Sequence, residues 1–338
     1  MSEAIIVIGL NWLGDVVMSL PAISAACKAG REVHVVTRPH LADVYELSGL
    51  PVVVHPVATN GNLLKVIKEM RPLSRILASS VVCLPDSIRA AFLAYRCRTG
   101  FSIGYSTQCR SFLLDSAIDK PENYKLIHES KLHYKLMREA IPELDIDPPE
   151  LPLCHFSDDE WEIASNKLGI EKEKPFIVLA PGAAFGAAKR WPPEYYAKLS
   201  ELIAKNHPEL DIVITGGEDE HAIADQIKGL TGARVIDVCG KTDLFDLGIL
   251  LSRASKLVAN DSGTMHLAAL YRTPTVVPVG PTDMVRTGAL NDNFVPVIAT
   301  GCPQLPCRKR VCPLKTDACM KSLPPDLIYQ FIFGNGLD

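Results

Sequence analysis

Short uninterrupted apolar runs that alternate with helix-spaced segments constrain this chain more than any other feature. The first run, residues 4–10, has no polar alternation. A strand of that kind must be covered on both faces, as in a parallel sheet flanked by helices. The expected order is then helix 16–29, strand 32–37, helix 41–47, strand 52–56, helix 63–70, strand 80–84, helix 87–95 and strand 99–104. Residues 145–152, DIDPPELP, interrupt the alternation with proline and acid and read as a linker. The pattern restarts with helix 158–168, strand 176–180, helix 193–206, strand 211–215, helix 220–230 and strand 233–238. It ends with helix 244–253, strand 256–259, helix 265–271 and strand 275–279. Two successive runs of βα units predict two Rossmann-like, doubly wound α/β domains, 1–150 and 151–338. Ligands then belong at the carboxyl ends of the strands, in a cleft between the halves.

Composition narrows the function classes. At 338 residues the chain exceeds one ordinary domain, and 47% hydrophobic with 22% charged residues describes a globular protein with ample core. The net charge, 35 − 39 = −4, argues against a general nucleic-acid partner. The apolar start is too short, and Glu3 too early, for a signal peptide. No stretch approaches the roughly 18 uninterrupted apolar residues of a membrane span. Six of the ten cysteines are scattered and read as buried reduced thiols, so a soluble, cytoplasmic protein is expected.

Chemistry concentrates at strand ends. In 256–270, KLVANDSGTMHLAAL, a strand runs through Asp261-Ser262-Gly263 into a helix, which points backbone N–H groups and a positive dipole end at one spot. Asp261 or Ser262 either caps that helix or meets a phosphate or sugar, and His266 lies one helical turn further on the same side. The first βα turn, Gly9 to Asp15, has Gly-x4-Gly spacing but Asp15-Val16 where a P-loop needs Lys and Ser or Thr, which excludes that reading. It also lacks Gly-x-Gly-x-x-Gly, leaving a dinucleotide oxidoreductase unsupported. Asp15 is an N-cap or a general base. Residues 181–192, PGAAFGAAKRWP, combine small residues with Lys189 and Arg190, which suits a diphosphate leaving group; Trp191 reads as packing. Glu218, after Gly216-Gly217, is a ribose-diol acceptor or a helix N-terminal acid, and Thr242 in Cys239–Thr242 sits on the same rim. Arg89, Arg96, Arg98 and Arg110, with Lys65, Lys68, Arg71 and Arg75, bias the first half toward an anionic partner or simply solvate helix faces. Cys302, Cys307, Cys312 and Cys319 space as C-x4-C-x4-C-x6-C, which barely meets zinc-ligand spacing, and free thiols are the expectation.

NWLGDVVMSLPAI, PGAAFGAAKRWPPEYYAKL, NDSGTMHLAAL and VGPTD, in that order, resemble the glycosyltransferase family 9 set, its lipopolysaccharide heptosyltransferases above all. The resemblance spans about residues 5–285. It implies the GT-B fold, two Rossmann-like halves facing a central cleft, and inverting heptose transfer from an ADP-heptose donor to the anionic inner core of lipopolysaccharide. Matched by position, Asp15 is the general base, and Lys189, Asp261, Ser262, Gly263 and His266 bind the donor, with Glu218 and Thr242 at its ribose and adenine; Arg190, beside Lys189, is a further donor-side candidate. Asn11, Arg89 and Arg98 are the acceptor-side candidates. No cofactor and no protein-bound metal is expected, divalent-metal stimulation stays open, and no nucleic-acid partner is implied. Contact with the membrane would be peripheral, at the cytoplasmic face of the inner membrane. The tail from about 300 departs from the heptosyltransferase pattern, so another family 9 donor or acceptor remains an alternative. So do a GT-B nucleotide-sugar epimerase, which turns over without acceptor, and a sugar-nucleotide sensor, which does not turn over.

Overall fold

In the computed structural model the twelve strands among the described residues run parallel within their sheets, as unbroken apolar runs require. The structure describes residues 3–334 apart from 60, 98, 146, 148 and 149, and the chain divides into two compact units, Met1–Pro152 and Leu153–Asp338. Part of the expected linker, at 146, 148 and 149, lies outside the described residues.

The first unit holds β1 (Ala4–Ile8), α1 (Leu13–Lys28), β2 (Glu32–Thr37), α2 (Ala42–Leu47), β3 (Val52–Pro56), α3 (Leu63–Glu69), β4 (Ala78–Cys83), α4 (Ile88–Cys97), β5 (Phe101–Tyr105), β6 (Ser116–Ile118) and α5 (Glu129–Ala140). Its sheet order is β3-β2-β1-β4-β5-β6. The second unit holds α6 (Asp158–Leu168), β7 (Phe176–Ala180), α7 (Pro193–Asn206), β8 (Asp211–Ile214), α8 (His221–Leu230), β9 (Ile236–Asp237), α9 (Leu244–Arg253), β10 (Lys256–Ala259), α10 (Gly263–Ala269), β11 (Thr275–Val279), α11 (Met284–Thr287), β12 (Phe294–Ile298), α12 (Ala318–Lys321) and α13 (Pro325–Phe333). Its order, β12-β11-β10-β7-β8-β9, repeats the first. In each sheet the order reverses beside the unit's first strand, between β1 and β4 and between β7 and β10, and crevices open at such switch points.

Every residue of β1 and β7 is buried, so these central strands carry the cores. Helix α6 starts on a capping box between Ser157 and Glu160 and stops at Gly169, whose φ of 69° suits glycine. Several elements depart from expectation. Strand β9 spans two residues instead of 233–238, and β6, α5, α11, β12, α12 and α13 are additions. Helix α5 packs on α1, and α13 packs on α7, where His207 stacks on Phe333 at 3.8 Å between ring centroids. Of the six scattered cysteines, Cys83, Cys97 and Cys239 are buried, Cys27 and Cys154 half-buried, and Cys109 exposed. Cys109 follows Gln108 in a turn where both have positive φ, which carries its side chain out of the core.

Candidate functional site

In the second unit β7 and β10 are neighbours, with Ala180 opposite Ala259, so the loops leaving their carboxyl ends emerge side by side. Asn260, fully buried, ties them together. Its amide donates to Pro181 O (2.6 Å) and Gly182 O (3.3 Å), and its Oδ1 accepts from Trp191 N (2.9 Å) and the Tyr196 hydroxyl (3.2 Å). Trp191 is 1% exposed and donates its indole N–H to Leu323 O, the packing role expected of it. On this frame Lys189 Nζ lies 2.7 Å from Asp261 Oδ2, with both side chains largely buried, and 4.7 Å from the centroid of the Phe185 ring. Arg190 is exposed. Ser262 is the N-cap of α10 but makes no capping hydrogen bond through its side chain, and Asp261 is paired with Lys189. The simple capping reading of this turn is therefore removed. Gly263 opens α10, and His266 is buried within it.

The neighbouring rim comes from the ends of β8 and β9. Gly240 N donates to Gly216 O at 2.9 Å, joining the loop of Glu218 to that of Thr242. Glu218 is exposed and Thr242 half-buried. The carboxylate directed into the strand ends belongs to Glu220. Gly217 N donates to its Oε2 (3.0 Å), and a Cβ built on Gly182 would fall 1.7 Å from its Oε1. The glycine at 182 thus leaves room for an acid from the next loop, and two candidate acids two residues apart in sequence are told apart only by this geometry.

In the first unit β1 and β4 are neighbours, with Ile8 opposite Cys83. A cavity of about 230 Å³ opens at their ends, lined among others by Gly9, Asn11, Arg38, Thr59, Ser87 and Arg89. Gly9 is required there because a Cβ would meet Val36 O at 2.8 Å. Arg38 Nη1 donates to Asn11 O (3.4 Å), Thr59 Oγ1 to Asn11 Oδ1 (3.3 Å), and Arg89 Nη2 to Gly61 O (2.5 Å). The Nε atoms of Arg38 and Arg89 are buried without a hydrogen bond. Among the described residues two cations and no acid line the cavity, an environment for an anionic group. Asp15 is half-buried in the first turn of α1, whose N-cap is Trp12, so Asp15 is not the cap.

Arg98 lies outside the described residues. Arg110 is a correction to the reading of surface cations: it is fully buried, donating to Tyr105 O (2.9 Å), Pro85 O and Ser87 O (3.1 Å). Three backbone carbonyls hold this guanidinium inside, where it fixes the loop bordering the cavity. Sequence reasoning missed Asn260, Glu220 and Arg38. Arg38 carried one signal, a cation directly after a buried strand, at the ligand-facing end of a parallel sheet.

The description "Glycosyltransferase family 9 (heptosyltransferase)" matches residues 68–317. Lipooligosaccharide heptosyltransferase 2 of Haemophilus ducreyi is 28% identical over 307 residues, 86% of this chain and 87% of that protein. The protein of the same name from Campylobacter jejuni is 32% identical over 169 residues, 49% of this chain and 52% of the relative, so the match spans about half that relative's length. The solved structure of Escherichia coli ADP-heptose lps heptosyltransferase II superposes with a TM-score of 0.80 at 21% identity, over 98% of this chain and 97% of that one. The two units thus share the fold of GT-B heptosyltransferases.

Proposed function

Since the chain belongs to glycosyltransferase family 9, we propose that it transfers heptose from ADP-L-glycero-D-manno-heptose to the anionic inner core of lipopolysaccharide, with inversion. The observation that carries this reading is the Lys189–Asp261 pair at the switch point of the second unit, where ligands of open parallel sheets collect. There the ammonium group meets the negative charge that develops on a departing diphosphate, while Ser262, Gly263 and His266 border the sugar and phosphates. Arg190, exposed beside Lys189, adds charge at the mouth. Glu220, or Glu218 at the outer rim, accepts from the ribose hydroxyls, and Thr242 borders the base.

On the first unit, Arg38, Arg89 and Asn11 receive an anionic group of the acceptor. Asp15 takes the proton of an acceptor hydroxyl, whose oxygen attacks the anomeric carbon as the bond to the diphosphate breaks and ADP leaves. Peripheral contact with an anionic membrane surface fits α3 and its flank, where exposed Leu64 stands beside exposed Lys65, Lys68, Arg71 and Arg75. No described helix is long and apolar enough to cross a membrane.

The test is ADP release from ADP-heptose with and without heptose-primed core lipid, with UDP- and GDP-sugars as controls. Acceptor-dependent release supports the reading, and turnover of another nucleotide sugar alone overturns the donor. Asp15→Ala is expected to abolish transfer and spare ADP binding; retained turnover removes Asp15 as base.

A further inference from the structure

Arg310 belongs to the tail that the family motifs do not reach, yet its backbone is locked onto the loop leaving β7, which carries Lys189. Ala188 N donates to Arg310 O (3.1 Å), and a Cβ on Gly186 would run into that carbonyl and come within 2.9 Å of the Arg310 Cα. Glycine at 186 is what lets the two backbones meet this closely. The tail is fixed on both sides of the contact. Arg308 N donates to Pro281 O (2.7 Å), and the Arg308 guanidinium pairs with Asp283 (3.0 Å). Cys302 and Leu305 pack at the edge of the second unit's core, and Cys319 and Met320 lie within it. From that base the Arg310 guanidinium reaches the Phe185 ring, its central carbon 5.0 Å from the centroid. Lys189 Nζ stands 4.7 Å from the same centroid. The two cations are therefore no further apart than the sum of these distances, about 9.7 Å, a gap that a diphosphate hydrogen-bonded at both ends can fill.

Electrostatics call for a second cation here. Lys189 is matched by Asp261 at 2.7 Å, so the pair brings no net charge to the turn. A nucleotide-sugar diphosphate carries a negative charge on each phosphate, and more gathers on it as the sugar departs. Among the described residues the Arg310 guanidinium has no acid partner, whereas that of Arg308 is taken up by Asp283. The face of Phe185 steadies the planar fork without using its N–H groups, which leaves them for phosphate oxygens. Sheet order distinguishes the two phosphates. The ribose rim rises from β8 and β9, Lys189 and Asp261 follow β7 and β10, and the tail is tied at Pro281 and Asp283 to the loop after β11. In the order β11-β10-β7-β8-β9 that anchor lies beyond the Lys189–Asp261 pair, on the side away from the ribose. We propose that Arg310 is a further donor-binding residue, whose guanidinium holds the sugar-bearing phosphate of the nucleotide diphosphate beside Lys189. This rests on the donor reading above and adds to it a residue from outside the motifs.

Calorimetric titration of the full chain with ADP, AMP, UDP and GDP tests this. Arg310→Gln should weaken ADP binding by about ten-fold or more. AMP lacks the second phosphate, and its affinity should stay within about two-fold of that for the unsubstituted chain. Arg310→Lys keeps the charge but not the fork and should recover only part of the loss. Lys309→Gln removes the same charge from the exposed neighbouring position and should change ADP affinity by no more than about two-fold. Equal ADP affinity in Arg310→Gln and the unsubstituted chain overturns the proposal and leaves the donor reading standing. A loss shared equally by ADP and AMP makes Arg310 a structural brace, and a loss matched by Lys309→Gln makes the effect one of overall loop charge; either result overturns it. If UDP or GDP binds in place of ADP with the same dependence on Arg310, the residue keeps its role and the adenine donor falls. If no nucleoside diphosphate binds the folded, unsubstituted chain, both fall.

Discussion

Lys189 Nζ and Asp261 Oδ2 stand 2.7 Å apart with side chains only 12% and 6% exposed, joining the loops of two adjacent parallel strands. A pair this secluded is costly to break from one side, because the remaining charge stays buried. Replacing both partners can be nearly neutral. Lys189→Met and Asp261→Asn should therefore each lower the unfolding free energy by about 3 kcal/mol, and the double variant should recover most of the loss. Urea midpoints measure this cycle. ADP affinity read on the same proteins should stay low in the double variant, since stability returns but the cation does not. Recovery of both together would make the pair structural only.

Asn260→Ala strips partners from Pro181 O, Trp191 N and the Tyr196 hydroxyl at once, all buried. Each orphaned group costs its own desolvation, so a loss of about 2–4 kcal/mol is expected. Tyr196→Phe removes one of these bonds and should cost about 1 kcal/mol. A melting shift for Asn260→Ala no larger than that for Tyr196→Phe would contradict the knot at this position.

Legibility from sequence follows the physics of each element. Strands β2, β3, β7, β10 and β11 were legible to the residue, because short runs rich in valine and isoleucine are bounded by polar, glycine- or proline-containing turns. Helix α5 was not, since ESKLHYKLMREA is polar enough to pass for a loop until α1 supplies the surface that Leu132 and Leu136 cover. Lys189 and Asp261 could be singled out as motif residues, whereas their pairing depends on β7 lying beside β10, a contact 72 residues distant in sequence (261 − 189). Arg110 looks like its arginine neighbours until the carbonyls of Pro85 and Ser87 are seen to hold it inside.

Gly182 and Glu220 make a further test. A methyl group at position 182 would occupy the space of the Glu220 carboxylate, the far end of a flexible chain that can swing away. Gly182→Ala should then fold with little loss of stability, but weaken ADP binding by about ten-fold, roughly the 1.4 kcal/mol of one charge-assisted hydrogen bond. Glu220→Gln should reproduce the effect and exposed Glu218→Gln should not, as read by calorimetric titration with ADP. The opposite ranking of the two glutamates would return the ribose role to Glu218.

His133, buried on α5, gives the first unit an acid-sensitive component. Burial is the main cause that lowers its pKa from 6.5 to about 4; Asp86 opposes the shift, and Lys120 and His128 add to it. The folded imidazole is thus neutral in a range where the unfolded chain binds a proton. Between pH 6.5 and about 4 the unfolded state holds more protons, so stability is fully present above 6.5 and falls as pH drops through that window. The upper bound is about 3 kcal/mol by pH 4, at 1.36 kcal/mol per unit. His55, lowered chiefly by burial and secondarily by His34, pulls in the same direction. Urea midpoints recorded from pH 7.5 to 4.5 should therefore decline less steeply for His133→Gln than for the unsubstituted chain. Parallel curves would mean that His133 takes up its proton in the fold as readily as in the unfolded chain.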